Sequence, residues 1–261
     1  MPGLDLTFLG TGTSLGIPVI GCHCSVCTST DPRDRRSRSS VYVRTPECAF
    51  VIDTGPDFRM QCLREGITGM DAAVYTHSHT DHIMGFDDLR PFCFLHPGGT
   101  VAVYAPPETM RDFERVFRFA FDGMHRFAGY LIPEPHVVES PFQLGLTTLT
   151  PLPVPHGKMT VTGYLLSRDN RPLFAYLSDC NGVPGPVRDL LRGVDTLVID
   201  ALRRAPHPTH LNVEEALEIS ADVAPRDTLL THLSHDLGHA ETEAGLPRGV
   251  RIAYDGLKLS L

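Results

Sequence analysis

Tryptophan is absent from this 261-residue chain, and cationic side chains are in the minority, with 23 Lys+Arg against 31 Asp+Glu and a formal net charge of −8. That balance argues against long nucleic acid as a partner, which calls for a basic face. Long apolar runs are missing too. Stretches such as Leu165–Leu166 or Thr196–Ile199 fall far short of the roughly 20 residues a membrane span requires, so no membrane partner is expected. No basic segment precedes the apolar Leu4–Leu9 in the manner of an export signal, and a cytoplasmic location is the expectation. Fixed-period repeats, low-complexity tracts and long linkers are equally lacking, so residues 1–261 read as one domain. With 42% hydrophobic and 21% charged residues, the chain is globular; disorder, collagen and coiled coil are excluded.

What the chain does contain is histidine, thirteen in all, and an odd seven cysteines. A disulfide framework belongs to small secreted chains, so reduced thiols are expected. Cys48, Cys62 and Cys93 sit among apolar neighbours and read as buried thiols. The remaining cluster, Cys22-x-Cys24-x2-Cys27 in a loop at 21–28, is different. Closely spaced thiols on a turn suit a tetrahedral zinc whose fourth ligand is open among His23, His235, His239 and a distant Cys.

Hydrophobic patterning predicts strands at Leu4–Leu9, Ser40–Arg44, Ala49–Ile52, Asp71–Tyr75 and Val101–Tyr104 in the first half. The second half adds Gln143–Thr150, Val161–Leu166, Leu173–Leu177, Thr196–Ile199, Thr228–His232 and a last strand within Arg251–Leu259. Helices are expected at Asp57–Arg64, Asp87–Leu95 and Pro107–Phe121, and at Val213–Val223 behind an Asn212 N-cap. Two strand-rich halves, each trailed by helices, predict two sheets packed face to face with helices outside, an α/β layered fold.

The strongest chemical signal is Thr76-His77-Ser78-His79-Thr80-Asp81-His82, immediately after an apolar strand. Neutral imidazole and carboxylate are ligands that zinc, manganese and iron accept. In extended backbone His77 and His79 project to one side, while a turn through Asp81-His82 redirects that pair to a second ion. Three isolated residues share the setting of a polar ligand past an apolar strand: His156, Asp179 and His232. Asp53 and Asp200 also end buried-type strands, either as simple turn residues or as acceptors for a ligand imidazole. The Arg33–Arg38 run reads as a solvated face or a phosphate contact.

This ordering resembles the metallo-β-lactamase fold superfamily over nearly the whole chain, from Phe8-Leu9-Gly10-Thr11-Gly12 to His232. Gly12-Thr13-Ser14-Leu15-Gly16-Ile17-Pro18, the Cys22–Cys27 loop and Arg36-Ser37-Arg38-Ser39-Ser40 are similar to the phosphoribosyl 1,2-cyclic phosphate phosphodiesterases and their cyclic-nucleotide-hydrolysing relatives. The resemblance implies an αββα sandwich and a phosphodiesterase of small cyclic phosphates. It implies two divalent catalytic ions, manganese or zinc. His77, His79 and His156 would hold one and Asp81, His82 and His232 the other, with Asp179 bridging. A water held by the pair would become the nucleophile. His210, in Pro208-Thr209-His210-Leu211-Asn212, would act with Asp81 as a catalytic residue, binding the phosphate or protonating the departing oxygen. His235 would complete a structural zinc with Cys22, Cys24 and Cys27, bracing His232 three residues away. Readings kept beside this one are a nuclease acting on RNA or DNA ends, and a pyrroloquinoline quinone synthesis-type protein. A homodimer is the common default.

Overall fold

Along the central strands, residues alternate between two apolar sets rather than between apolar and polar, and burial on both faces requires a layer on each side. The computed structural model describes residues 3–95, 98–124 and 129–261. The first sheet gathers β1 (Asp5–Gly10), β2 (Ser40–Arg44), β3 (Ala49–Ile52), β4 (Ala72–Val74), β5 (Val101–Ala105) and β6 (Pro133–Val137). The second gathers β7 (Phe142–Leu144), β8 (Thr147–His156), β9 (Met159–Arg168), β10 (Arg171–Leu177), β11 (Thr196–Asp200), β12 (Asp227–Thr231) and β13 (Val250–Ile252). The chain then returns with β14 (Lys258–Ser260) to the first sheet, giving the orders β14-β1-β2-β3-β4-β5-β6 and β13-β12-β11-β10-β9-β8-β7.

Three apolar cores correspond to the interfaces of an αββα sandwich. Val41, Val43, Phe50, Ile52 and Val74 of the first sheet meet Tyr164, Leu166, Phe174, Tyr176, Val198 and Leu229 of the second. Their alternates Tyr42, Val51 and Ala73 face α1 (Phe58–Glu65), α3 (Arg90–Leu95) and α4 (Pro107–Val116). On the other side, Leu177, Leu197, Ile199 and Leu230 face α6 (Gly185–Leu191) and α7 (Val213–Val223). Short helices α2 (Thr80–Ile83), α5 (Arg118–Phe121) and α8 (His239–Ala244) lie in the connections.

Several elements differ from the sequence-based expectation. The helix expected over Pro107–Phe121 breaks at Phe117, whose ψ of 36° leaves the helical range. The break lets Phe117 and Phe121 both reach Phe86, at centroid distances of 4.7 and 5.8 Å, while the apolar Val116 just before it is exposed. Residues 113–130 read from sequence as a lid or as helix packing, and Arg126 and Phe127 within them lie outside the described residues. The segment Gln143–Thr150 is two strands, because Gly145 at φ 59° turns the chain between β7 and β8. The final segment divides between sheets. β6 was not anticipated: its Pro133 and Pro135 remove ladder donors, which an edge strand tolerates. No helix among the described residues is long and apolar enough to cross a membrane.

Candidate metal centre

In the first sheet β3 and β4 run parallel, as do β10, β11 and β12 in the second, and the chemistry gathers where these strands end. Beyond β4 the chain stays extended through His79, at φ −62° and ψ 148°, then winds into the single turn α2. His77 and His79 thus face one way and Asp81 and His82 another. His156, the last residue of β8, joins the first pair; Asp179, after β10, and His232, after β12, join the second. Within each group, His77/His79/His156 and Asp81/His82/Asp179/His232, one ligand atom per residue lies within 4.8 Å of every other. Asp179 lies between them: one carboxylate oxygen is 3.2 Å from His82 Nε2, the other 3.3 Å from His232 Nε2 and 4.0 Å from His77 Nε2.

Three of the imidazoles are oriented from behind. His156 Nδ1–H donates to the Thr209 carbonyl at 2.7 Å, leaving Nε2 for the cluster. His82 Nδ1–H donates to Asp53 Oδ2 at 2.7 Å. The same carboxylate accepts from Thr76 Oγ1 at 2.8 Å, and Thr76 Oγ1 in turn lies 2.9 Å from His77 Nδ1. One buried aspartate therefore fixes rings in both groups, in the carboxylate–histidine arrangement typical of metal ligands. Asp53 and His232 hold positive φ values of 63° and 58°, backbone strain of the kind that concentrates at functional sites. Gly55 is required locally, since a Cβ there would collide with the Asp81 carbonyl.

The electrostatics separate the two groups. Burial opposes charge on Asp179, but the His232 and His82 imidazoles overcome it and hold the carboxyl well below the usual range. Asp81 is likewise held down against burial by His82 and His232. Burial also opposes charge on His232, yet Asp179 and Asp81 raise it to about 9. His77 and His156, by contrast, are pushed down chiefly by burial and stay neutral. The anionic group demands positive charge at its centre, and His82 Nε2, Asp179 Oδ1 and His232 Nε2 are buried with no hydrogen-bond partner among the described residues. Convergent orphaned donor atoms of this chemistry fit divalent cations.

Beside this cluster, His210 Nδ1 lies 2.6 Å from Asp200 Oδ2, the oxygen that also accepts from the Cys180 N–H at 2.9 Å. Its ring stacks on His232 with centroids 4.7 Å apart and planes 12° from parallel. Burial and then His232 lower His210 to about 4, while burial raises Asp200 well above a normal carboxyl. Both shifts disfavour separated charge across the pair.

The Cys loop forms a second cluster. His235 Nδ1 lies 3.2, 3.6 and 3.5 Å from the sulfurs of Cys22, Cys24 and Cys27. A tetrahedral zinc with ordinary Zn–S and Zn–N bonds would place S and N about 3.5 Å apart, so the four residues fit one. The Cys27 backbone N–H is the main cause lowering Cys24 to about 6. Of the other histidines open to this role, His239 pairs with Glu243 at 3.2 Å and His23 is exposed. Arginines of the 33–38 run are largely engaged: Arg33 with Asp31, Arg36 with Asp34, Arg38 with Asp57. Sequence reasoning missed Thr76, the Thr209 carbonyl and the interior position of Arg36. The first adjoins the His run and could have been flagged; the other two act through contacts that no local pattern reports.

The profile of the beta-lactamase superfamily domain matches residues 49–233. Fold and profile together define a metal-dependent hydrolase of the metallo-β-lactamase fold. A solved structure described as a new diphosphatase from the PhnP family aligns with a TM-score of 0.92 and 43% identity, covering 100% of this chain and 98% of that one. The chain belongs to that family within the superfamily. It is also 34% identical over 254 residues to an octanoyltransferase of Porphyromonas gingivalis, covering 96% of this chain and 50% of that protein, so it spans about half the length of that relative. Zinc-bound PqqB from Methylobacterium extorquens shares the fold alone, with a TM-score of 0.78 and 19% identity, covering 98% of this chain and 100% of that one.

Proposed function

We propose that the protein hydrolyses a small cyclic phosphodiester with two divalent ions, manganese or zinc, at the His/Asp centre and a structural zinc at the Cys loop. His77, His79 and His156 would hold one catalytic ion, Asp81, His82 and His232 the other, and Asp179 would bridge. The observation that carries the reading is the Asp200–His210 pair, stacked on His232 and close to the ligand atoms of His156 and Asp179. A centre that needed only to activate water would have no use for a second oriented imidazole there. Bound divalent ions supply positive charge for the phosphoryl oxygens and an acidified water as nucleophile.

The chain's own residues do the rest. Asp53 and Thr76 keep the His77 and His82 ring nitrogens facing the centre. With one proton beyond neutral imidazole and carboxylate, the Asp200–His210 pair presents N–H at His210 Nε2. As the new bond from water oxygen to phosphorus forms and the P–O bond to the leaving group breaks, that proton passes to the departing oxygen. His210 then keeps Nδ1–H on the Asp200 carboxylate. The small substrate needs no basic face, in keeping with the chain's net charge of −8, and the cytoplasm is the proposed location.

A second reading, cleavage of a diphosphate, is favoured by the 43% identical diphosphatase. Both substrates present phosphorus with two bridging oxygens, so the same groups could serve either. The test is a turnover panel with manganese or zinc: a ribose cyclic phosphate, 2′,3′-cyclic nucleotides, an asymmetric diphosphate diester, an aryl phosphodiester and short RNA. Fastest turnover of a cyclic phosphate is expected. A preference of tenfold or more for the diphosphate would establish the second reading, and a preference for RNA would overturn both.

A further inference from the structure

Arg36 is among the largest side chains that the fold buries completely, with 1% of its surface exposed. Its guanidinium donates from Nη1 to the Ser234 carbonyl at 3.1 Å and from Nη2 to the Leu237 carbonyl at 2.7 Å, with Asp34 Oδ1 at 3.2 Å. Asp34 Oδ1 also accepts the His239 backbone N–H at 2.7 Å. Those contacts bracket His235 and begin two residues beyond His232. The backbone of Arg36 meanwhile exchanges two hydrogen bonds with Ile17, at 2.8 and 3.0 Å, in the segment entering the Cys loop. Gly12 is required beside it, because a Cβ there would stand 2.7 Å from the Arg36 carbonyl. Gly12 also bridges to Leu233, the residue after His232. Arg36 thus ties the chain on both sides of the Cys loop through its backbone, and that chain to the loop after His232 through its buried guanidinium.

We propose that Arg36 is a positioning residue that fixes His232 relative to the Cys22/Cys24/Cys27/His235 cluster; the inference rests on reading His232 as a catalytic-metal ligand. The geometry asks for Arg specifically. Two carbonyls and a carboxylate lie around one planar group, and a lysine ammonium is a point donor on a flexible stem that cannot span them. A carbonyl left unpaired in this buried place would drive the loop to shift. His232, held at φ 58°, has little freedom to compensate. Its neighbours are pinned elsewhere: Leu233 N–H donates to the Thr11 carbonyl at 3.0 Å and Ser234 N–H to the Leu202 carbonyl at 2.9 Å.

The experiment compares wild type, Arg36→Lys, Asp34→Asn and His232→Ala. Each is stripped of metal and titrated calorimetrically with manganese(II), with cobalt(II) absorbance reporting thiolate coordination at the Cys cluster. In Arg36→Lys we expect the cobalt–thiolate band to persist and the weaker manganese site to lose about tenfold to a hundredfold in affinity. Its kcat should return as manganese is raised, with KM little changed. A purely structural role would lower the melting temperature and leave ion affinity where it was. Should Arg36→Lys fail to fold, Asp34→Asn is expected to move the same affinity in the same direction by a few-fold, and no movement there overturns the proposal. Wild-type affinities in Arg36→Lys overturn the proposal alone. If His232→Ala binds manganese as wild type does, the reading of the centre falls and the proposal falls with it.

Discussion

Each sheet ends a parallel strand in a fully buried aspartate that accepts from an imidazole: Asp53 from His82 at 2.7 Å in the first, Asp200 from His210 at 2.6 Å in the second. From behind, the two pairs are nearly the same. In front they are not. His82 Nε2 lies 3.3 Å from Asp81 and 3.2 Å from Asp179. Asp200 is the one carboxylate that pairs with His210 among the described residues, and His210 otherwise stacks on His232. Against burial, the carboxylates around His82 raise it well above an ordinary histidine, whereas burial and His232 lower His210 to about 4. An aspartate behind a histidine orients the ring in both cases. What differs is what stands before the ring: two carboxylates at His82, another imidazole at His210.

Four measurements bear on that contrast, beginning with the largest effect. His210→Ala should lower kcat by about 10²- to 10⁴-fold while elemental analysis finds its metal content unchanged; loss of metal together with activity would make the two histidines equivalent. Asp53→Asn should do the reverse, weakening ion binding by about 10- to 100-fold, with turnover recovered in excess manganese. Failure to recover would place a direct chemical role on the first sheet as well. Asn212 and Glu215 form a capping box at the start of α7, two residues beyond His210, whereas α2, which carries His82, has no side-chain cap. Asn212→Ala should therefore cost about 1 kcal/mol in chemical denaturation and lower kcat modestly without metal loss.

The smallest effect concerns the tie between the halves. Glu47, in the β2–β3 turn, bonds Arg168 at the end of β9 at 2.9 and 3.0 Å, and that guanidinium pulls the carboxyl from 4.5 down to about 2. A depressed carboxyl stabilises the fold above its unfolded value and loses that contribution as pH falls through its folded value. The stability difference between wild type and Glu47→Gln should thus be present above about pH 4.5 and vanish towards pH 2. A difference independent of pH would assign it to packing instead.

Chemistry carried by contiguous residues was legible in the chain. The His77–His82 run declares its two directions of projection, and the three thiols at 22, 24 and 27 declare a cluster. Strand-end context was enough to place His156, Asp179 and His232 beside the run, and the Asn212 cap located α7 at Val213–Val223. Where distant partners decide, local pattern fails. Arg36 belongs to an arginine-rich run that reads as surface, yet two of its acceptors lie 198 and 201 residues away. Phe117 lies inside a stretch that reads as one helix, but the helix breaks there and Phe117 and Phe121 both pack on Phe86. The short β13 and β14 have too few residues to show which sheet will take them; pairing with β12 and β1 settles it.

That last pairing sets how the molecule responds to force. Antiparallel β1 and β14 match Asp5 with Ser260, and Leu4 and Leu261 exchange backbone hydrogen bonds of 2.9 and 3.0 Å. Both strands therefore offer their outer ends at the same corner of the molecule. Tension applied through the two ends would open this seam like a zipper, one bond after another, rather than loading all of its bonds together in shear. The strand at the rim would peel away first, and the strands leading to His77, Asp179 and His232 farther into the sheets would still be in register when it did.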